Sequence, residues 1–184
     1  MGIVQNRNRL EYFEDVVHVH TTKGFFIIDL EDVPLLENRS WYMSGNKCKY
    51  PAAGLCKVVP GHGKYGRKYS ILYLHRHLMS TPKNLECDHI NGNTFDCRKV
   101  NLRNCTKKEN CLNKKKTTKE ATSIYKGVIK YRDGRWDANI STNGKARFLG
   151  RFESEKAAAR AYDIASIKYH GEFGSLNFPR SDYE

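Results

Sequence analysis

The sequence has no apolar run long enough to span a bilayer and no cysteine pair in C-x-x-C spacing, and it has few acidic residues for its many basic ones in its middle third. The first absence removes the membrane as an expected partner. The first ten residues are polar and lack the apolar stretch of an export leader, so the expected location is the cytoplasm. Without an oxidising compartment, the six cysteines (Cys48, Cys56, Cys87, Cys97, Cys105 and Cys111) are expected to be free thiols. Structural zinc sites draw ligands in close pairs, so structural zinc is not expected either.

What the chain has instead is concentrated positive charge. The net charge is +12 over 184 residues. Residues 1–40 carry 4 basic and 7 acidic side chains, residues 41–120 carry 17 and 5, and residues 121–184 carry 11 and 8. From Arg98 to Lys119 nine residues are basic and only Glu109 is acidic. Such a block draws a polyanion by Coulomb attraction and counterion release. The bland alternative is a solvated, flexible tail. A hydrophobic content of 39% fits folded domains, one of ordinary size or two small ones.

Residues 16–30 read as two short strands around the turn from Thr21 to Gly24, and residues 32–38 as a short helix ahead of Trp41. Residues 45–70, rich in glycine, read as loops and hairpin strands, and residues 71–79 as a strand running into a short helix. Residues 114–123 have almost no apolar side chain and mark a domain boundary. Beyond it, residues 125–131, 135–141 and 146–152 are strand-like, separated by Asp133-Gly134 and Asn143-Gly144, two hairpin dipeptides. Ser154 is placed to cap a helix that ends at Gly171, with Ala158, Ala161, Tyr162, Ala165 and Tyr169 on one stripe.

The densest chemical signal runs from Cys87 to Asn113. Asp88 and His89 precede the turn formers Asn91, Gly92 and Asn93, as at the end of one hairpin strand, and Asn101 is placed on the returning strand. Thr106 and Glu109 form a capping box, which starts a helix carrying Asn110 and Asn113 on one face. Oxygen donors such as Asp88 and the Asn110 amide suit a hard cation. A histidine titrates near neutrality and can take a proton from an attacking water. The residues alone support phosphodiester hydrolysis and an Asn/Gly-rich turn with an incidental histidine about equally.

The stretch from His75 to Asn113 resembles the HNH endonuclease family, in the variant common among phage and intron-encoded homing endonucleases. The matching blocks are Leu74-His75-Arg76, Asp88 to Gly92, Asp96-Cys97-Arg98, Asn101-Leu102-Arg103, and Glu109-Asn110 with Asn113. His89, Asn101 and Asn110 fall on its three motif positions. The resemblance implies a ββα-metal (His-Me finger) fold, Asp88 and Asn110 as ligands of Mg²⁺ or Mn²⁺, His89 as general base, and Asn101 as the residue orienting the His89 loop. Cys97 departs from the variant, where Asn is usual, in a position that supports the loop. His75 is expected to be a packing or loop-bonding histidine rather than a ligand. Residues 16–44 resemble the lead-in segment of these enzymes.

Residues 123–179 resemble the APETALA2/ethylene-response-factor domain, on Tyr125 to Val128, Gly134-Arg135-Trp136, Phe148 to Phe152, Ala157 to Asp163 and Leu176-Asn177-Phe178. That implies a three-stranded sheet backed by one helix, with the sheet in a DNA groove. Ile129, Tyr131, Asp133, Asn139, Ser141 and Ala146 stand where the plant domains usually carry contact residues, so general DNA binding is carried over and a target sequence is not. Trp136, Ala138, Ile140, Leu149 and Tyr162 are expected in the core.

The expected fold class is therefore α+β: a nuclease module with a β-rich lead-in over residues 1–116, a basic linker over 117–122, and a three-stranded antiparallel sheet packed on one helix over 123–179. The expected function is metal-dependent hydrolysis of DNA phosphodiester bonds by a homing-type or phage-encoded enzyme, acting as a monomer on double-stranded DNA in the cytoplasm of a bacterial host. The alternatives are a non-catalytic DNA-binding regulator and, on charge alone, an RNA-binding protein. Expected DNA contacts are Arg98, Arg103, Lys107, Lys114, Lys115, Lys126, Arg132, Arg135 and Arg147. A chain ending near Lys119 is expected to stay folded and to cut with weaker, less selective binding.

Overall fold

The computed structural model describes residues 8–36, 39–45, 49–58, 67–116 and 122–184. They form two compact units, residues 1–106 and 107–184. Among the described residues no helix is long and apolar enough to cross a membrane.

The first unit is built from antiparallel strands. β1 (Leu10–Tyr12), β2 (Val16–Thr21) and β3 (Gly24–Asp29) form one sheet, and a 3-10 helix over Leu30–Leu36 follows. β4 (Trp41–Ser44), β5 (Tyr50–Val58) and β6 (Arg67–Tyr73) form a second sheet, and β6 runs directly into the short helix α1 (Leu74–Leu78). β7 (Glu86–His89) and β8 (Leu102–Cys105) make a two-stranded ladder. Alternation buries Val17 and Val19 of β2 and Phe26 and Ile28 of β3 against Leu36, Trp41, Leu74, Cys87, Cys97 and Leu102. The strands expected over residues 16–30 and the strand-to-helix passage at residues 71–79 are present, while residues 46–48 and 59–66 of the expected loop-and-hairpin region lie outside the described residues. The expected short helix begins at Leu30 rather than Asp32, and its predicted end at Asn38 lies outside the described residues.

The second unit opens with α2 (Lys107–Asn113), followed by β9 (Val128–Lys130), β10 (Trp136–Thr142), β11 (Lys145–Phe152) and α3 (Glu155–His170). The sheet order is β11-β10-β9, antiparallel throughout. Asn143 and Gly144 both adopt positive φ (49° and 76°), as the tight β10–β11 turn requires. Ser154 caps α3 by accepting from the Ala157 amide at 3.2 Å. Ala138, Ile140 and Tyr162 are buried, and Trp136 and Leu149 pack against them, while Tyr169, expected on the packed stripe, is exposed. Asp163 is wholly buried on α3, and donors surround it: the amides of Asn177 and Phe178, the Asn177 side chain and the Tyr183 hydroxyl, at 2.8–3.0 Å. A buried carboxylate is tolerable only with such partners. It ties the C-terminal segment to the helix.

The unit boundary differs from the expected linker. It falls between Thr106 and Lys107, ahead of α2, and residues 117–121 lie outside the described residues. The reason is a set of lysine–carbonyl bonds within the second unit. The Lys126 ammonium donates to the carbonyls of Leu112 and Lys114, both at 2.7 Å, and Lys116 donates to those of Tyr125 (2.8 Å) and Val128 (3.0 Å). Lys108 reaches Asn143 at 3.1 Å. The Lys126 bonds satisfy carbonyls at and just beyond the C-terminal end of α2, where a helix leaves acceptors open, and the Lys116 bonds tie the following residues to β9 and the segment before it. A cut at Lys119 therefore separates residues 107–116 from the body that holds them, while residues 1–106 form a compact unit of their own.

Hydrogen bonds to a charged group contribute roughly 1.5–3 kcal/mol. Lys126→Met, which keeps the stem and removes the ammonium, should raise amide exchange across residues 107–116 by about ten-fold or more, since 1.4 kcal/mol is a factor of ten. Hydrogen-exchange mass spectrometry of the full chain measures this. Exchange at the wild-type rate would mean that the clamp holds nothing.

Candidate functional site

The site begins where β7 ends. Asp88 and His89 are its last two residues, both buried, and the ladder pairs them with Arg103 and Leu102. Because residues directly opposite share a face, the Arg103 guanidinium meets Asp88, with Nε at 3.1 Å and Nη2 at 2.8 Å from Oδ2. Arg103, expected at DNA, is thus the internal partner of the expected metal ligand.

The loop between β7 and β8 is held from three sides. The Asn101 side chain donates to the Asp96 carbonyl at 2.8 Å and accepts from the Asn91 amide at 2.9 Å, so it ties the start and the middle of the loop to its end. Asn101 sits in a 3-10 turn just ahead of β8 rather than in the strand itself. Arg98 grips Asp96 with Nε at 2.8 Å and Nη2 at 2.7 Å, and Asn91 donates to the same carboxylate at 3.1 Å. The Arg98 guanidinium accordingly holds Asp96 below the usual carboxylate range, with burial opposing it. From outside, Ile27 of β3 donates to the Phe95 carbonyl and accepts from the Cys97 amide, both at 2.8 Å. Lys99 binds Asp29 through its amide (2.7 Å), and Glu31 and Asp32 through its ammonium (2.7 and 2.8 Å).

His89 is 4% exposed. Its Nε2 lies 3.9 Å from the Cys97 thiol, and its ring is 5.1 Å from that of His75 and 6.1 Å from that of Tyr50, centre to centre. His75 comes from the first turn of α1 and is buried, and among the described residues its Nδ1 has no hydrogen-bond partner. Tyr73 flanks it at 5.9 Å. Burial pushes His89 down to about 4, against the pull of Asp88 and Asp96. His75 falls to about 3 through burial, then through the charges of His89 and Arg76. Burial raises the Cys87 thiol to about 11 and the Cys97 thiol further. Cys97 does touch the loop, through Thr94, but it also touches His89, a contact the sequence did not disclose. Tyr50 and Tyr73 were not singled out either; their place beside the histidines depends on strand pairing.

Asp88, His89 and Asn101 are brought together in the first unit. Asn110 lies half-buried on α2, in the second. Among the described residues no three His, Cys, Asp or Glu side chains converge on a point where a metal would sit. A cation here would take a carboxylate oxygen of Asp88 with amide oxygens, a donor set of the kind Mg²⁺ or Mn²⁺ prefers. Of the other cations expected at DNA, Lys107, Lys114, Lys115 and Arg132 are exposed. Lys126 is engaged with carbonyls, and burial holds its ammonium below the ordinary lysine value. Arg135 is paired with Asp133 at 2.7 Å. Arg147 bonds Thr142 at 2.9 Å and stacks over Tyr169 of α3, on the helix side of the sheet.

Residues 73–112 match the model of the HNH endonuclease family. The chain is also similar to an AP2-like ethylene-responsive transcription factor of Arabidopsis thaliana, 40% identical over 93 residues, which is 44% of this chain and 22% of that protein. It is 50% identical over 64 residues to APETALA2-like protein 2 of Oryza sativa subsp. indica, covering 34% of this chain and 15% of the relative. An AP2/ERF and B3 domain-containing protein of Oryza sativa subsp. japonica is 45% identical over 60 residues, 33% of this chain and 16% of its own. The chain spans less than a quarter of the length of these curated relatives.

In an unfolded chain both histidines take a proton near pH 6.5; folded, they do so only near 4 and 3. Below pH 6.5 the unfolded state binds more protons, so stability is lost as the pH falls from about 6.5 towards 4. Thermal unfolding of the first unit, followed by fluorescence of the buried Trp41, should move to lower temperature across that window. His75→Gln should weaken the dependence. A midpoint unchanged between pH 7 and 4.5 would contradict the burial of both rings.

Proposed function

We propose that this chain, which joins an HNH-type segment to an APETALA2-like segment, is a metal-dependent endonuclease that hydrolyses phosphodiester bonds of double-stranded DNA. The observation that supports it is the end of β7. There a carboxylate, Asp88, adjoins a histidine kept unprotonated at neutral pH by its burial, on a loop closed by Asn101, within the matched residues 73–112. An unprotonated imidazole is the form that accepts a proton from an attacking water. A phosphodiester brought alongside would raise its proton affinity towards neutrality, because a nearby anion favours the imidazolium. Asn101 fixes the loop so that His89 keeps one orientation. Asp88 would offer a carboxylate oxygen to Mg²⁺ or Mn²⁺, which would supply charge stabilisation at the phosphate and the leaving oxygen. Lys107, Lys114, Lys115 and Arg132, exposed and basic, suit the DNA backbone. The setting we favour is a phage-encoded or homing-type enzyme, working as a monomer.

A second reading has one observation in its favour. Arg103 already neutralises Asp88, and that arrangement also serves a DNA-binding regulator that cuts nothing.

Incubation with duplex DNA separates the two readings. With Mg²⁺ or Mn²⁺ the wild type should cut, and EDTA should stop it. His89→Ala should slow cutting by roughly 10²–10⁴-fold, the usual range for general acid–base catalysis, with DNA affinity little changed. Cutting that persists in chelator, or an equal loss of binding in His89→Ala, would remove this site as the catalytic centre. No cutting under any metal condition would leave the regulator.

A further inference from the structure

β5 and β6 pair in unbroken register from Ala52–Tyr73 to Val58–Arg67. Their inner end belongs to the core: Ala52 and Ala53 are buried and Leu72 packs beside them. Their outer end does not. From Arg67 to Ile71 five successive residues are exposed, as are Gly54, Cys56 and Lys57 across from them. Successive strand residues point to opposite faces, so exposure without alternation means that both faces meet solvent. The two strands leave the body as a bare ribbon.

Its side chains are not those of an inert projection. The described residues of the ribbon include no Asp or Glu. Lys57 stands directly opposite Lys68, a like-charge pairing that costs stability in isolation. Among the described residues no carboxylate pairs with Lys57, Arg67 or Lys68. On the other face Arg67, Tyr69 and Ile71 follow one another at the two-residue spacing, with Tyr69 70% and Ile71 53% exposed. The same face continues to Tyr73, whose ring is 5.9 Å from His75, and His75 is 5.1 Å from His89. At about 3.3 Å per residue, the seven residues of β6 carry this track roughly 20 Å from the histidine pair.

We propose that the β5–β6 ribbon is a duplex-DNA grip. It lies in the major groove, which admits a two-stranded ribbon, with Lys57, Arg67 and Lys68 against phosphates and Tyr69 and Ile71 against the groove wall. Phosphates of one strand are spaced about 3.4 Å apart along the axis, so the grip falls about six base pairs to one side of the bond presented to His89. That last placement rests on the endonuclease reading; the DNA contact itself does not.

The test uses the full chain and a 30-base-pair duplex in EDTA, so that binding is read without cutting. Fluorescence anisotropy at several NaCl concentrations gives affinity and its salt slope. Each phosphate contact contributes about 0.9 to the slope. The Lys57→Gln/Lys68→Gln double variant should flatten it by about 1.8 and weaken binding about ten-fold or more at low salt. A control, Lys23→Gln/Lys83→Gln, removes the same charge elsewhere on the first unit and should leave the slope nearly unchanged. Tyr69→Ser should weaken binding with the slope intact. Equal effects of the two double variants, or none from either, overturn the grip. Should the ribbon variant misfold, lysine acetylation of the wild type decides: duplex should protect Lys57 and Lys68, and equal labelling with and without DNA overturns the proposal, including the case of an acidic protein partner. A chain that binds through the ribbon but never cuts with Mg²⁺ overturns the endonuclease reading alone. One that cuts while the ribbon variant binds normally overturns the grip alone.

Discussion

A two-stranded ladder of four residues a side has too little buried surface to stand by itself. In this protein the main chain of one residue supplies the missing support. Ile27, in the middle of β3, gives its amide to Phe95 and takes the amide of Cys97, so the far side of the β7–β8 loop is fastened to the N-terminal sheet. The placing of Asp88 and His89 follows from this. With the loop pinned, Asn101 can close it from within, Arg98 can hold Asp96, and Lys99 can reach the acidic residues 29–32. The N-terminal strands are therefore scaffolding for the loop that carries Asp88 and His89.

Part of the positive charge that distinguishes the sequence is engaged within the protein itself. Arg98, Arg103, Lys99, Lys116, Lys126 and Arg151 all hold acceptors of their own unit. A basic residue in a run reads as a contact for a polyanion only while its partners are unknown. Once the ladder sets Arg103 opposite Asp88, the guanidinium has a carboxylate within reach and no need of solvent or phosphate. The cations left exposed are fewer than the composition implies, and they are distributed over both units.

The sequence was most legible where the signal is local. The period-two alternation of residues 16–29, the Asn143-Gly144 turn, the Ser154 cap and the passage from strand into helix at Leu74 were all readable, because each depends on neighbours within a few residues. The first helix boundary shifted by two residues, as 3-10 ends commonly do. What escaped was long-range. Arg103 meets Asp88 across fifteen residues, Lys126 reaches Leu112 across fourteen, and Asp163 gathers donors from residues 177–183. Nothing in the spacing of a lysine announces that its ammonium will close the carbonyl end of a helix before it. The polar stretch after Lys114 looked like a joint because it lacks apolar residues, yet its first residues are held by charge to carbonyl rather than by burial.

That lysine clamp also governs how such a protein can be recombined. Shuffling usually places junctions in stretches that look like spacers, and here that would be residues 117–122. A fusion made there would hand the recipient a C-terminal domain whose Lys116 and Lys126 partners had been split between two parents. The seam that keeps each set of bonds in one parent lies ten residues earlier, after Thr106. A C-terminal half transplanted onto another HNH-type chain would then bring its own copy of α2, Asn110 included, and would overwrite the end of its host's motif rather than merely follow it.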